Sequence, residues 1–427
     1  MALHQDTIWE VRTGGNNENG GGFHNRVPGT SVDYTQQNAP QLDLTDLACA
    51  GAGNITITSV VGGFTAAMVG NIIRIHAGAN FIVGFYEIVT VNSGNSVDLD
   101  RTPATGVGAN GHGKVGGGQV NCDLIDVVVV PGNTVYIENG NYAAHPATTF
   151  NGAYSKALPL IIWGYNGSRG TRPTGVNRPI IQMGVNSFGV SYFAKIRNLA
   201  FEGSGADVLI LNPSAAPPTA TKIVENCKIT NLAVAGTVFC VRIPAGENGW
   251  GVFIDCEFQG TGGSTSTGIK GESTAASPHV FNCYLHHLTY GIQTSGVNMD
   301  SVCAFFSIFA NILNTGIYNN ATNNQRSIVQ NCVFTTIGVD GFYNGGVGTT
   351  LVNNTFSDCV NSAINSQATI VMYNNFFGNG NNWLGNTLNP ADGNIFVNPQ
   401  FVAPGSNYAL QRTSGLIDRA FSMRLGV

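Results

Sequence analysis

The chain reads as an all-β protein: a right-handed parallel β-helix preceded by an extended N-terminal arm and a small antiparallel β module. Three observations predict this. A short phrase (apolar, any, Asn or Asp, Cys or Asn, any, large apolar) recurs eight times, centred on Asn198, Asn226, Asp255, Asn282, Val302, Asn331, Asn353 and Asn374, with Val302 departing from the Asn form. Subtracting successive positions gives steps of 20 to 29 residues, a period that signals stacked repeats. The composition agrees: 56 glycines and only 10% charged residues in 427 suit a turn-dense, rigid β protein.

The columns of the repeat give its geometry. Three residues after each centre stand Phe201, Ile229, Phe258, Leu285, Phe305, Phe334, Phe356 and Phe377. Two before it the file is apolar except at Asp300, and one after it runs Leu199, Cys227, Cys256, Cys283, Cys303, Cys332, Asn354 and Asn375. Side chains alternate between faces along a strand, so inward positions at −2, +1 and +3 require a break at the centre. A corner at the Asn supplies it, because Asn tolerates the left-handed backbone of a tight turn. Asn198, Asn226, Asn282, Asn331, Asn353 and Asn374 are therefore the expected structural corners, able to hydrogen-bond along the stack. A leucine-rich repeat is disfavoured, since no L-x-x-L-x-L run occurs and the spacers show no 3.6-residue apolar period. Hexapeptide helices would not vary in coil length.

In chain order, residues 1–50 form the extended arm, with so much Gly and Asn that order must come from docking. That docking is either along its own β-helix or between subunits. Residues 51–118 form the β module: Ile55–Thr58, Ile72–Ile75, Phe85–Val91 and Val97–Asp100 alternate and are bounded by turn residues. Gly106–Gly118 reads as a glycine-rich link and lacks the G-x-x-x-x-G-K-[ST] of a phosphate loop. The β-helix spans 119–400, with first walls at Thr134–Ile137, Leu160–Tyr165 and Arg178–Gln182. Residues 401–427 are a C-terminal cap and tail, with strands expected around Asn394–Val402, Tyr408–Leu410 and Leu416–Asp418.

These segments resemble the pectate-lyase-like right-handed β-helix superfamily, through the Asn corners, the opening G-N-T-V-Y-I-x-N-G-x-Y from Gly132 and the ending N-P-Q-F-V from Asn398. That ending departs from the usual D-P-x-F form at Asn398. Within it, the head T-I-W-E-V-R-T-G-G from Thr7 and the module G-G-F-T-A-A-M-V-G-N from Gly62 resemble bacteriophage virion-associated β-helix proteins. The first likeness implies fold and the second implies context, because fold does not fix function.

Glycan-cleaving β-helices need paired carboxylates at about 5 Å or about 6.5–9.5 Å. Asp255, Glu257 and Glu272 are the candidates, but Asp255 occupies a corner, and Lys228 would lie directly below Glu257 in a surface ion contact. The histidines lack metal-ligand spacing, and His286 and His287 would project to opposite faces of a strand. No cofactor or metal is expected. The file two after each corner turns apolar at Tyr284, Val333 and Phe376, which makes these the interface candidates, covered either by the same chain or by other subunits in a trimer.

A net charge of −5 offers no footprint for nucleic acid, and the apolar run Val127–Val130 is too short to span a bilayer. The opening Met1-Ala-Leu-His-Gln-Asp lacks the regions of a signal peptide, so the nine cysteines read as free thiols, although coils about 4.8 Å apart leave a disulfide possible on distance. The expectation is thus a non-enzymatic virion protein, a tail spike, fibre or capsid appendage, assembled in the host cytoplasm with other virion proteins and serving assembly or host-surface attachment. The alternatives are a phage depolymerase acting on bacterial surface glycans, and a secreted bacterial adhesin.

Overall fold

The computed structural model describes residues 3–173, 177–205, 207–212, 220–244, 249–262, 266–272, 277–296, 301–321, 326–367, 370–384, 386–404 and 406–416. Asp300, Ile417 and Asp418, which entered the expectations above, lie outside them. Nearly every element is a strand, and the chain divides into two units, Met1–Gln182 with Ser191–Leu199, and Met183–Val190 with Ala200–Val427.

In the first unit the arm packs along its own chain. Strand Ile8–Val11 pairs antiparallel with Gly22–Phe23 and parallel with Thr134–Glu138, which in turn pairs with Leu160–Tyr165. The arm thereby covers an edge whose backbone groups would otherwise be unpaired. Trp9 is fully buried, its indole Nε1–H donating to Asn133 Oδ1 at 3.1 Å. The carboxylate of Glu10, also fully buried, meets Arg12, Tyr165 and Arg169.

The β module of this unit is a closed barrel of Leu42–Cys49, Thr56–Thr58, Ser96–Leu99, Gly84–Ser93, Ile72–Phe81 and Ala104–Val115. Its first strand starts inside the stretch expected to be arm. Residues 106–115 are not a link, as their composition suggested, but most of the strand that closes the barrel against both Leu42–Cys49 and Ile72–Phe81. The glycines are there for space. A Cβ at Gly111 would come within 2.5 Å of the Phe81 ring and 2.8 Å of Leu47 Cβ, so a bare backbone lets large neighbours fill a narrow barrel.

The second unit consists of right-handed parallel coils with three walls. First-wall strands include Gly249–Ile254, Ser277–Phe281, Cys303–Phe305, Ile328–Gln330, Thr350–Val352 and Ile370–Met372. Second-wall strands include Lys228–Asn231, Glu257–Gln259, Tyr284–His286, Ile308–Ile312, Val333–Ile337, Thr355–Cys359 and Asn375–Phe377. Third-wall strands include Val238–Ile243, Ser266–Gly271, Tyr290–Gly296, Thr315–Ala321, Asp340–Val347 and Ser362–Gln367.

Between first and second walls the backbone turns left-handed at Asn226 (φ 51°), Asp255 (54°), Asn282 (52°), Phe306 (52°), Asn331 (56°), Asn353 (56°) and Tyr373 (58°); Asn198 (61°), in the first unit, does the same. Two expected centres were therefore misplaced. The fifth corner is Phe306, not Val302, since Phe281 pairs with Phe305 and Leu285 with Phe309. The eighth is Tyr373, not Asn374, since Val352 pairs with Met372 and Phe356 with Phe376. Both bulky corner residues are held by the ladder: Phe306 N–H donates to Gln330 O at 3.1 Å and Tyr373 N–H to Asp392 O at 3.0 Å.

With that register, Phe258, Leu285, Phe309, Phe334, Phe356 and Phe376 form one inward column. The last four stack ring on ring at 4.7, 4.7 and 5.5 Å with planes within 9° of parallel. One residue past the corner, Cys332 N–H donates to Asn354 Oδ1, Asn354 N–H to Asn374 Oδ1 and Asn374 N–H to Asn394 Oδ1, each at 2.9 Å. Asn374 thus satisfies buried backbone inside the stack instead of turning it. All nine cysteines are free and buried, and burial pushes the Cys332 thiol up to about 12. Cys303 leaves the inward file and its place is taken by Ser307, fully buried, whose Oγ accepts from Cys283 N–H at 3.1 Å.

Candidate functional site

The three candidate acids are not brought together. Asp255 holds its corner and accepts from Asn282 Nδ2 at 2.7 Å. Glu257 stands on the second wall and Glu272 at the end of a third-wall strand. Glu257 and Glu272 have separate cationic neighbours, Lys228 and Arg242.

Glu257 is the centre of a compact cluster. Its Oε1 lies 3.0 Å from Lys228 Nζ and 3.1 Å from His286 Nε2, and His286 Nδ1 lies 2.7 Å from His287 Nδ1. The adjacent histidines meet because His287 takes φ +55° and leaves the strand, so they do not project to opposite faces as strand alternation implied. Hydrogen bonding from His286, then the Lys228 ammonium, outweighs burial and holds the Glu257 carboxyl down at about 2. A carboxylate so stabilised is a poor proton acceptor at neutral pH.

The sign of its pH dependence follows. A depressed carboxyl contributes stability above its ordinary value of 4.5, lost as pH falls from there through about 2. We expect Glu257→Gln to flatten the acid limb of a stability profile between those values while costing only about 1 kcal/mol at pH 7, because the pair is partly solvated. Urea midpoints measured from pH 2 to 7 check this; an unchanged acid limb would count against the pair.

The second-wall residues taken as interface candidates are accounted for within the chain. The C-terminal hairpin Phe401–Ala403 with Asn407–Leu410 lies over that wall: Tyr284 meets Tyr408 at 6.2 Å, and Val333 lines a cleft with Leu410 and Leu416. Phe376 does not face outward at all. It is 2% exposed and belongs to the inward column, a consequence of the one-residue register shift at Tyr373.

The third wall carries the polar groups. In register along its outer side run Arg242, Lys270, Gln293, Tyr318, Tyr343 and Asn365. Arg242 is gripped from two sides, Nη1 lying 3.2 Å from Asp207 and Nη2 2.8 Å from Glu272. Burial raises the Asp207 carboxyl, opposed by Arg242. Tyr318 and Tyr343 stack at 4.7 Å, and Tyr290 lies 5.5 Å from Tyr318.

The first wall presents the opposite chemistry. One outward file runs Ile254, Phe281, Phe305, Gln330, Val352 and Met372; the neighbouring file runs Val252, His279, Cys303, Ile328, Thr350 and Ile370. From Ile254 and Val252 onward neither file contains an Asp, Glu, Lys or Arg, whereas the preceding coil sets Glu225 beside Ile254. Phe281 and Phe305 stack at 5.1 Å on this face, and Trp250, Phe306 and Ile370 are 47%, 59% and 43% exposed along it. Just before the corners from Asp255 onward the sequence reads Ile, Phe, Phe, Gln, Val, Met, following Arg197 and Glu225 before the first two; with the corner register corrected, that column marks where the face loses its charges.

No protein-family profile matches the chain, and no curated protein sequence does. Among solved structures, the chain is similar to pectate lyase Pel9A, with 15% identity, a TM-score of 0.41, and 71% of this chain and 86% of that one covered. It is also similar to an alginate lyase from Paenibacillus sp. str. FPU-7 (10% identity, TM-score 0.26, 62% and 91% covered). A third is the catalytic domain of a GH87 alpha-1,3-glucanase (11% identity, TM-score 0.26, 87% and 84% covered). The parallel β-helix of this chain is established by its own strand ladders.

Proposed function

We propose that this protein is a non-enzymatic structural component that works as a homo-oligomer with its first walls buried between copies, as a spike, fibre or capsid appendage of a bacteriophage particle. The observation that carries the proposal is the largely apolar face of the first wall from Ile254 onward, in which no Asp, Glu, Lys or Arg stands. Its few hydrogen-bonding side chains, His279, Gln330 and Thr350, offer a polar partner little to recognise, whereas a second identical face matches it in chemistry. A three-fold arrangement lets every copy bury this wall. The viral setting is supported by the resemblance of the Thr7–Gly15 head and the Gly62–Asn71 module.

Native mass measurement tests the assembly. We expect a trimer that Phe281→Glu with Ile328→Lys converts to a monomer retaining its β spectrum, because unpaired charges would be desolvated in the interface. A wild-type monomer at tens of micromolar would defeat the reading, and so would a trimer indifferent to both changes.

One observation favours a second reading, a glycan depolymerase. Asp207, raised by burial, and Glu272 flank one guanidinium on a wall lined with hydroxyl and amide groups, and two carboxyls in unlike environments are what acid and base roles require. Incubation with bacterial surface polysaccharides decides it: new reducing or unsaturated ends that vanish in Glu272→Gln and Asp207→Asn would establish an enzyme.

A further inference from the structure

We propose that His4, Asp6 and His24 form a divalent-metal site of the zinc class that staples the start of the arm to the segment following its hairpin. One ligand atom from each residue lies within 4.8 Å of the other two. Donors on a shell of about 2.0–2.1 Å around a tetrahedral ion stand nearer together than that, and side-chain rotations of the exposed Asp6 and half-buried His4 close the gap.

Both histidines sit on fixed backbone. The His4 carbonyl accepts from Thr7 N–H at 3.1 Å, Thr7 Oγ1 at 2.7 Å and Asn133 Nδ2 at 2.9 Å. His24 N–H donates to Gly70 O at 2.8 Å. Their rings lie face to face, 3.7 Å apart and 7° from parallel, so the His4 ring turns out of the stack for its in-plane nitrogen to converge with that of His24 on one ion.

The supporting groups around His24 point the same way. Its Nδ1 lies 3.3 Å from Oε1 of Glu87, whose side chain is 3% exposed and which also holds Arg26 Nη1 at 2.8 Å. A buried carboxylate taking the Nδ1–H fixes the tautomer and leaves Nε2 as the free donor, the arrangement that orients histidines toward metals. His4 Nδ1 lies 3.8 Å from Asp6 Oδ2 and accepts from Asp6 N–H at 3.2 Å. Two imidazoles and one carboxylate suit Zn²⁺, Co²⁺ or Ni²⁺ over Ca²⁺ or Mg²⁺, with water completing the shell.

Titration of the full-length protein with ZnCl₂ and CoCl₂ tests this. The expected result is one equivalent bound with micromolar affinity, a visible Co²⁺ spectrum, and at least tenfold weaker binding in His4→Ala and in His24→Ala. Should His24→Ala lose its fold through Glu87, Asp6→Asn, at an exposed position, is expected to weaken binding as well. His112→Ala is the control, since His112 and His76 form a separate ring pair 5.8 Å apart on the barrel. No binding at 0.1 mM metal (roughly a hundredfold excess over a micromolar site), or binding abolished by His112→Ala and unaffected by His4→Ala and Asp6→Asn, overturns the proposal.

Discussion

Replacing Arg169 with Ala should destabilise the N-terminal unit by about 3–5 kcal/mol, the cost of leaving a buried charge without its partner. Arg169 reaches Glu10 with Nε at 2.7 Å and Nη2 at 2.6 Å, Asp33 with Nη1 at 2.5 Å, and Thr35 Oγ1 with Nη2 at 2.7 Å. It therefore ties two separate stretches of the arm to the loop after Leu160–Tyr165. Its guanidinium also lies 5.0 Å over the Tyr136 ring. Burial already raises the Glu10 carboxyl, with the Arg169 charge the largest opposing influence.

Without Arg169 that carboxyl rises further, which fixes the sign of the pH dependence. An acid whose folded value exceeds its unfolded 4.5 binds its proton more tightly when folded, so stability is lost as pH climbs from 4.5 through the folded value. The deficit of Arg169→Ala should accordingly be larger at pH 8 than at pH 5. Glu10→Gln in the same background should recover part of it, and Arg169→Lys should fall between, because one ammonium cannot span the same acceptors. Urea denaturation at the two pH values reads this. A deficit under about 0.5 kcal/mol, typical of a surface pair, would mean the arm is not held as described.

Phe334→Ala should cost a further unit, the second, about 3–5 kcal/mol. Phe334 is fully buried, sandwiched at 4.7 Å by Phe309 and Phe356. Its ring also lies against Gly316, where a Cβ would approach Phe334 Cδ1 to 2.8 Å. Neighbouring rings belong to hydrogen-bonded coils and cannot collapse into the void, so the cavity persists; the two stacked pairs add about 0.5–1.5 kcal/mol each. Phe334→Leu, which keeps most of the volume, should lose much less. Equal losses for Leu and Ala, or a loss under about 1 kcal/mol for Ala, would show that the column is not a packed core.

The sequence determined the coil. Asn and Asp at left-handed corners, flanked by apolar residues at fixed offsets, are a local chemical requirement repeated in every turn, so Asn198, Asn226, Asn282, Asn331 and Asn353 could be read without knowing what touches what. Register was legible only where that local signal was intact. At Phe306 and Tyr373 no corner-forming residue is present, and the hydrogen bonds of adjacent coils impose the turn; hence Val302 and Asn374 were mistaken for centres, and Phe376 for an outward residue. The barrel strand 104–115 was hidden for a related reason, since its glycines answer to Phe81 and Leu47, residues far away in sequence. Which outer wall is covered, and by what, was likewise settled by tertiary structure alone. Tyr284 and Val333 meet the C-terminal hairpin, Trp250, Phe306 and Ile370 stay exposed along the first wall among the described residues, and Asp207 comes to face Glu272 across Arg242, because coiling brings together side chains roughly one turn of chain apart whose spacing varies from coil to coil.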